Sequence, residues 1–199
     1  KGYFAGIDSG STSTDVVILD RERKIVSSVI MPTGAGAANG AERALEEALR
    51  QSGLNREDID AVVTTGYGRT AISDGDKSIT EITCHARGAH FLDSSVRTVV
   101  DIGGQDSKVI RLNDDGSVKN FVMNDKCAAG TGRFLEMMAK TMEMSLDELS
   151  KVGLSYQEDI TISSMCTVFA ESEVVSLIAQ NKATDDIVHG LNKAVAAKT

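Results

Sequence analysis

The sequence predicts a mixed α/β fold made of two copies of one unit, in which an antiparallel strand meander is followed by helices. Short apolar runs separated by polar turns predict strands at residues 3–8, 15–19 and 25–31 in the first copy. The same order returns at residues 99–102, 108–112 and 118–123 in the second copy. Each copy has an aspartate at the end of its first strand, Asp8 or Asp101. We therefore expect a duplicated fold with domains at residues 1–96 and 97–199.

Helical patterns follow the strands in each copy. Apolar residues recur on one face of a helix predicted at about residues 41–51, and Asn39 with Glu42 resembles a capping box at its start. A further strand is predicted at residues 61–64. In the second copy, apolar residues at helical spacing predict helices that begin near Phe134, near Phe169 and at Thr184.

Composition limits the classes of protein that fit the chain. With 199 residues and 41% hydrophobic content, the chain can bury a sizeable core, so a disordered protein is excluded. The net charge of −8 and the absence of a basic cluster argue against nucleic acid or an anionic membrane surface as partners. The longest apolar runs fall far short of the ~20 residues that a membrane span needs. Three widely spaced cysteines suit a reducing compartment, so we expect a cytoplasmic protein.

Two loops of small residues have the composition of phosphate-binding loops. Asp8–Thr12 and Asp101–Asp106 each follow the first strand of their copy. Small residues let backbone N–H groups approach phosphate oxygens, and a neighbouring carboxylate can hold Mg²⁺ through water. Neither loop is a Walker A loop or a Rossmann fingerprint. The alternative is that both are ordinary β-turns, in which glycine and aspartate are common, although matching positions favour a shared ligand.

Two cysteines lie before predicted helices. Cys127 precedes a Gly130–Gly132 segment and a helical pattern, and Cys166 precedes the helix that begins near Phe169. A helix N-terminus favours a thiolate, so the pair is a candidate metal site, and a two-fold dimer would supply two further ligands. The alternative is two buried, inert cysteines. Cys84 is interpreted as a core residue.

Five segments carry a resemblance to a known family: Asp8–Thr12, Thr65–Arg69, Asp101–Asp106, Asn124–Phe134 and Cys166–Glu173. The chain resembles the activator component of 2-hydroxyacyl-CoA dehydratases, in the family that also contains ATPase subunits of benzoyl-CoA reductase. The two cysteine segments are specific to that family. The two loops are shared with the wider superfamily of actin-like and sugar-kinase ATPases, so the resemblance implies duplicated actin-like, ribonuclease H-like domains.

The resemblance implies a cofactor set and a group of partners. A homodimer would be bridged by one 4Fe-4S cluster, with Cys127 and Cys166 of each subunit as ligands. ATP, with Mg²⁺, would bind between the two copies, and its hydrolysis to ADP would drive one electron at low potential to the dehydratase component. A ferredoxin or flavodoxin would be the upstream donor. The dehydratase itself would eliminate water.

The resemblance also assigns roles to residues. Asp8 and Asp101 would serve Mg²⁺ and the attacking water, with Gln105 in the same catalytic group. Glu81 resembles the residue that orients water in the superfamily, and its alternative is a solvated glutamate at a helix start. The residues expected to bind the nucleotide and its cofactor are Ser9, Gly10, Ser11, Thr12, Gly103, Gly104, Gln105, Asp106, Gly130, Thr131 and Gly132.

One departure from the superfamily concerns the adenosine motif, a Gly-Gly-x-x-x-Asn-like segment that would follow the cluster helices and does not occur in this chain. The chain also begins without methionine and stops within a predicted helix, so we expect the biological protein to be longer. Two alternatives to the activator remain at this point. One is a small-molecule kinase of the sugar-kinase type, and the other is an ATP-driven switch, both without a cluster.

Overall fold

The computed structural model describes residues 2–125, 127–163 and 166–198. Lys126, which belongs to the Asn124–Phe134 segment, lies outside the described residues. The chain divides into two compact units, one of residues 1–97 and 112–119 and the other of residues 98–111 and 120–199.

The first unit contains a five-stranded mixed sheet in the order β3-β2-β1-β4-β5. The strands are β1 (Tyr3–Ser9), β2 (Ser13–Leu19), β3 (Ile25–Pro32), β4 (Ile59–Thr65) and β5 (Lys77–Ser78). The first three pair antiparallel, as the predicted meander requires, whereas β4 pairs in parallel with β1. This register places Asp8 beside Asp15 on one side and Thr65 on the other. The end of β1 is therefore fixed from both flanks.

Helix α1 (Ala37–Ser52) covers this sheet with a stripe of small and branched residues. Ala41, Ala44, Leu45 and Ala48 are buried against the inward-facing residues of β1 and β2, which form one core cluster with them. Alanine on this face lets the helix lie close to the sheet. Helix α2 (Glu81–Leu92) completes the unit together with 3₁₀ turns at Arg56–Asp58 and Arg69–Ala71.

The start of α1 differs from the prediction. The helix begins at Ala37, after Gly36 in an extended conformation, so Asn39 and Glu42 both lie inside the helix. The predicted capping box is wrong, because Ala37 and Ala38 are strong helix formers and extend the helix toward the N-terminus. Gly36 has no side chain that could cap the helix.

A three-stranded sheet in the order β6-β7-β8 has most of its residues in the second unit. Its strands are β6 (Thr98–Ile102), β7 (Ser107–Leu112) and β8 (Val118–Asn124). Strands β6 and β7 pair antiparallel, with Asp101 opposite Lys108 and Ile102 opposite Ser107. Four helices follow: α3 (Gly132–Thr141), α4 (Leu146–Val152), α5 (Thr167–Ala179) and α6 (Thr184–Lys198).

Three of these helices share a core. Phe134 and Met138 of α3, Val174 of α5 and Leu191 of α6 are buried in one cluster. Burying side chains of this size stabilises a fold by about 1.5–3 kcal/mol each relative to exposure. The core therefore holds the start of α3 and the body of α5 in place.

Helix α4 was not predicted, although its start carries a capping box. The Glu148 N–H donates to Ser145 Oγ at 3.2 Å, and the Ser145 N–H donates to Glu148 Oε2 at 2.8 Å. Helix α5 begins at Thr167, two residues before the predicted start, and ends at Ala179.

The first turn of α6 is anchored by a buried carboxylate. Asp186 accepts hydrogen bonds from the backbone N–H groups of Gln157 at 2.7 Å and Glu158 at 2.9 Å. The pKa of Asp186 is lowered, first because of the Glu158 N–H and then because of the Gln157 N–H.

Within the described residues, no helix combines the length and the apolar character that crossing a bilayer would need.

Candidate functional site

The first predicted phosphate loop is the turn between β1 and β2. The Gly10 N–H donates to the Ser13 carbonyl at 2.9 Å, which closes the turn and leaves Ser11 and Thr12 exposed at its tip. Ser9 is fully buried, and its hydroxyl has no hydrogen-bond partner among the described residues. An exposed pair of hydroxyls beside a buried, unsatisfied one suits a ligand with several acceptor oxygens.

The segment Thr65–Arg69, which carries the family resemblance but received no predicted role, packs against this loop. The Gly68 N–H donates to the Ser9 carbonyl at 2.9 Å. Gly66 has a φ of +84°, and a Cβ there would collide with the Asp8 carboxylate and lie 2.5 Å from the Ser9 carbonyl oxygen. Only glycine fits this position, because any larger residue would be strained at this φ and its Cβ would collide with Asp8 and Ser9.

Glu81 is the first residue of α2, where the prediction had it just before the helix. Its side chain is only 14% exposed and pairs with Arg69 at 3.4 Å. Arg69 also donates to the Gly66 carbonyl at 2.9 Å. Glu81 is therefore not a freely solvated residue of a helix start. It is tied through Arg69 to the segment that supports the first loop.

The second predicted loop is the turn between β6 and β7. The Gly103 N–H donates to the Asp106 carbonyl at 2.8 Å, and Gln105 is exposed at the tip. Asp101 is partly buried, with a side chain that is 22% exposed. Asp106 is buried, and its carboxylate accepts a 2.5 Å hydrogen bond from Lys108 Nζ. Lys108 was not among the predicted site residues.

The second loop is joined directly to the start of α3. The Gly132 N–H donates to the Gly103 carbonyl at 2.8 Å, and the Arg133 N–H donates to the Gly104 carbonyl at 2.9 Å. Gly132 permits this approach because its Cβ position lies 3.3 Å from Gly104 Cα. The buried Thr131 hydroxyl donates to the Ala128 carbonyl at 2.6 Å. Gly132, which was predicted to bind the cofactor, thus contacts the second loop through its backbone.

The three cysteines are free thiols in different environments. Cys127 is half-buried in the connection between β8 and α3, and its carbonyl accepts a hydrogen bond from Asn124 Nδ2 at 3.4 Å. It lies four residues before the helix N-cap Thr131, so the helix start is near it in sequence but does not include it. Cys166 is exposed and is itself the N-cap of α5. Cys84 is half-buried within α2.

The exposure of each thiol decides whether it could reach a metal cluster at a surface of the protein. Sulfur ligands suit iron, and a bridging cluster requires thiols that reach a surface. Cys166 meets this requirement, which disagrees with its interpretation as a buried core cysteine. Within the described ranges, no group of three or more His, Cys, Asp or Glu side chains is arranged as a metal site.

Exposed apolar side chains lie on the same helix as Cys166. Four of them belong to α5, with 66% of Phe169 exposed: Val168, Phe169, Val175 and Ile178. They lie on more than one side of the helix, since Phe169 and Ile178 are half a rotation apart. Side chains of this kind in an isolated chain are typical of a protein interface.

Comparisons with known proteins agree with the predicted family. At 50% identity, 196 residues align with the 2-hydroxyisocaproyl-CoA dehydratase activator of Clostridioides difficile, covering 98% of this chain and 73% of that protein. Component A of the (R)-2-hydroxyglutaryl-CoA dehydratase of Acidaminococcus fermentans matches with a TM-score of 0.95 at 42% identity, covering 100% of this chain and 76% of the other. The activator of the 2-hydroxyisocaproyl-CoA dehydratase from Clostridium difficile has been solved with bound ADPNP. It matches with a TM-score of 0.93 at 49% identity, and the match covers 98% of this chain and 73% of the other.

The structural matches confirm the predicted mixed α/β fold of the actin-like ATPase type. A family model for the BadF/BadG/BcrA/BcrD ATPases matches residues 5–199. Because this match extends over nearly the whole sequence, the chain belongs to the BadF/BadG/BcrA/BcrD ATPase family.

Proposed function

We propose that this chain is an ATP-dependent one-electron donor that activates a 2-hydroxyacyl-CoA dehydratase. The observation that carries the proposal is the 50% identity, over 98% of the chain, to the activator of 2-hydroxyisocaproyl-CoA dehydratase. The wide spacing and odd number of cysteines support work in a reducing compartment, the cytoplasm.

The two loops are the proposed nucleotide site. Residues 1–96 carry the first loop and residues 97–199 carry the second. The exposed Ser11 and Thr12 and the unsatisfied Ser9 hydroxyl are suited to phosphate oxygens. The carboxylates of Asp8 and Asp101 are the oxygen donors that Mg²⁺ prefers. A similar protein has been solved with bound ADPNP, which supports a nucleotide in this fold.

In the proposed reaction, water attacks the γ-phosphorus of ATP. A new P–O bond forms, the bond between the γ-phosphorus and the bridging oxygen breaks, and ADP, phosphate and a proton are released. Asp101 and Gln105 orient the water from the second loop. Glu81 contributes a carboxylate acceptor whose direction is set by Arg69.

Coupling between nucleotide and thiols has a physical route through the backbone. Binding of ATP can drive a change only if it favours one arrangement of the protein over another. The carbonyls of Gly103 and Gly104 in the second loop are bonded to the first residues of α3. The preceding turn, held by Thr131 and Ala128, leads directly to Cys127. A shift of the loop would therefore move the cysteine segment.

The proposed cofactor is one 4Fe-4S cluster per homodimer, held by Cys127 and Cys166 of each subunit. A bound cluster would supply one-electron chemistry at low potential, which exposure and nearby hydrogen bonds adjust. The exposed apolar side chains of α5 support a two-fold contact around it, because an isologous interface brings the same side chains from each subunit together. The electron would come from a ferredoxin or flavodoxin and pass to the dehydratase, which carries out the elimination of water.

The test is the content of iron and sulfide in full-length protein purified without oxygen, with visible and EPR spectra. We expect about four irons per dimer, as four thiolates on one cluster require. Cys127→Ala should abolish the cluster, because a cluster with half its cysteines removed is incompletely coordinated. Cys84→Ala is the matched control and should retain wild-type iron, since Cys84 lies within α2 in the first unit.

An iron content equal to that of the wild type in Cys127→Ala protein would show that Cys127 is not a cluster ligand. If the wild-type protein lacks iron and also fails to accept a reconstituted cluster, a small-molecule kinase or an ATP switch on the same fold becomes the better account.

A further inference from the structure

Lys108 on β7 is a buried lysine in the second loop region. Its side chain is only 5% exposed. Lysine is rarely buried unless an acidic partner neutralises it, and here two carboxylates lie within reach. Nζ lies 2.5 Å from Asp106 Oδ1 and 3.5 Å from Asp101 Oδ2. The three charged groups therefore form one connected set beside the loop.

The strand register fixes this set. Asp101 on β6 lies directly opposite Lys108 on β7, so their side chains project from the same face of the sheet. Asp106 belongs to the turn that the Gly103 N–H closes, two residues before Lys108. The ammonium is thus held by a buried carboxylate, and it faces a carboxylate that reaches the surface. Asp101 is the member that a ligand can meet, with 22% of its side chain exposed against 5% for Asp106.

Stability does not explain a lysine at this position. Removing two charges from water is costly, and a buried ion pair can often be replaced by apolar residues without loss of stability. A fixed ammonium beside a carboxylate does have a use, since it determines which way the carboxylate oxygens point. Partners of metal-binding carboxylates act in this way, and their loss typically costs 10–100-fold in metal affinity or activity.

We propose that Lys108 is a positioning residue that aims the Asp101 carboxylate at nucleotide-bound Mg²⁺, and that Asp106 serves to hold Lys108 in place. This inference rests on the proposed function, because it assumes that Asp101 serves the metal. It gives Asp106 a supporting role in place of the direct contact with ligand that the resemblance implies.

The test is the affinity for Mn²⁺, used in place of Mg²⁺, at saturating ADP, measured by loss of the EPR signal of free aqueous Mn²⁺. Lys108→Met should raise the dissociation constant of Mn²⁺ by about 10- to 100-fold. Asp106→Asn, which keeps the size of the side chain and releases Lys108, should raise it by a smaller factor. Lys193→Met is the matched control. Lys193 lies on α6, so this variant removes a 2.6 Å contact to Asp159 and should leave Mn²⁺ binding unchanged.

The sign of the change separates positioning from simple charge. Removing a positive charge near the site favours binding of a cation, so a lysine that acted only through its charge would give tighter binding in Lys108→Met. Tighter or unchanged binding in that variant overturns the proposal. If Lys108→Met fails to fold, judged by circular dichroism, Lys108→Gln decides, because it also removes only the positive charge, and tighter or unchanged binding there overturns the proposal.

The same titration separates this inference from the proposed function. Wild-type protein that binds neither ADP nor Mn²⁺ would contradict the proposed nucleotide site, and the role of Lys108 with it. If the wild-type protein binds both, and the Lys108→Met and Asp106→Asn variants bind Mn²⁺ with wild-type affinity, the nucleotide site stands. Only the positioning role of Lys108 is then contradicted.

Discussion

Replacement of Gly66 by alanine should disable the first loop, and its cost can be worked from the structure. Gly66 has a φ of +84°, where a residue with a Cβ is strained by about 1–2 kcal/mol. The added Cβ would also lie 2.5 Å from the Ser9 carbonyl oxygen and 2.7 Å from its carbon, and it would collide with the Asp8 carboxylate. Overpacking of this kind costs about 1–3 kcal/mol. We expect Gly66→Ala to lower the free energy of unfolding by about 2–5 kcal/mol.

Gly53→Ala is the matched control for this variant. Gly53, at the end of α1, has a φ of +68°, but within the described part of the chain no atom lies within 4 Å of the added Cβ. Gly53→Ala should lower the free energy of unfolding by only about 1–2 kcal/mol, the cost of the strained backbone conformation. Urea denaturation measures both losses, and calorimetric titration with Mg²⁺ and ADP measures binding. Equal losses of stability in the two variants, together with wild-type ADP affinity in Gly66→Ala, would refute a steric requirement for glycine at residue 66.

Two further predictions concern the second unit. Asp186→Asn should lower the melting temperature at pH 7, because the carboxylate that accepts the Gln157 and Glu158 N–H groups is lost. The folded-state pKa of Asp186 is lowered, so its stabilisation is present above the unfolded pKa of about 3.9 and is lost as pH falls through the folded value. Melting curves of the two proteins should converge at acidic pH, and a constant difference would contradict this assignment. Phe169→Glu should convert the proposed dimer to monomers in light scattering, since it places a charge among the exposed apolar side chains of α5. Leu154→Glu, at a residue that is 80% exposed and lies outside α5, should leave the proposed dimer intact, and equal dissociation in both variants would argue against an interface through Phe169.

The sequence predicted seven of the eight strands of the described structure, because each of the seven is a short run rich in apolar residues and bounded by polar turns, and it missed β5, which consists of two polar residues. It misplaced the start of α1, where the pattern of Asn39 and Glu42 competed with the helix propensity of Ala37 and Ala38. It missed α4, although Ser145 and Glu148 have the spacing of a capping box. The residues near each helix start therefore carried a signal for it. The prediction failed because another local pattern was preferred for α1 and because the capping box of α4 was overlooked.

The polar contacts of the candidate site were harder to predict. Lys108 could have been found by counting across the turn at residues 103–106, since that turn pairs Asp101 with Lys108. The contact between Arg69 and Glu81 had no such signal, because the two residues lie on separate elements and their meeting depends on how the chain packs. The roles of the predicted loop residues and cysteines remain predictions.

At Cys166, helix stability and the proposed metal ligation favour different residues. It caps the start of α5, where serine would be among the most favourable residues, and its thiol makes no capping hydrogen bond within the described structure. Replacing a good cap by a poor one costs a helix typically about 1 kcal/mol. Under the proposed function, a serine here would yield a more stable helix and an inactive protein. Selection of this chain for heat resistance alone would therefore favour the loss of its electron-transfer chemistry, and variants chosen in that way need to be screened for iron as well as for melting temperature.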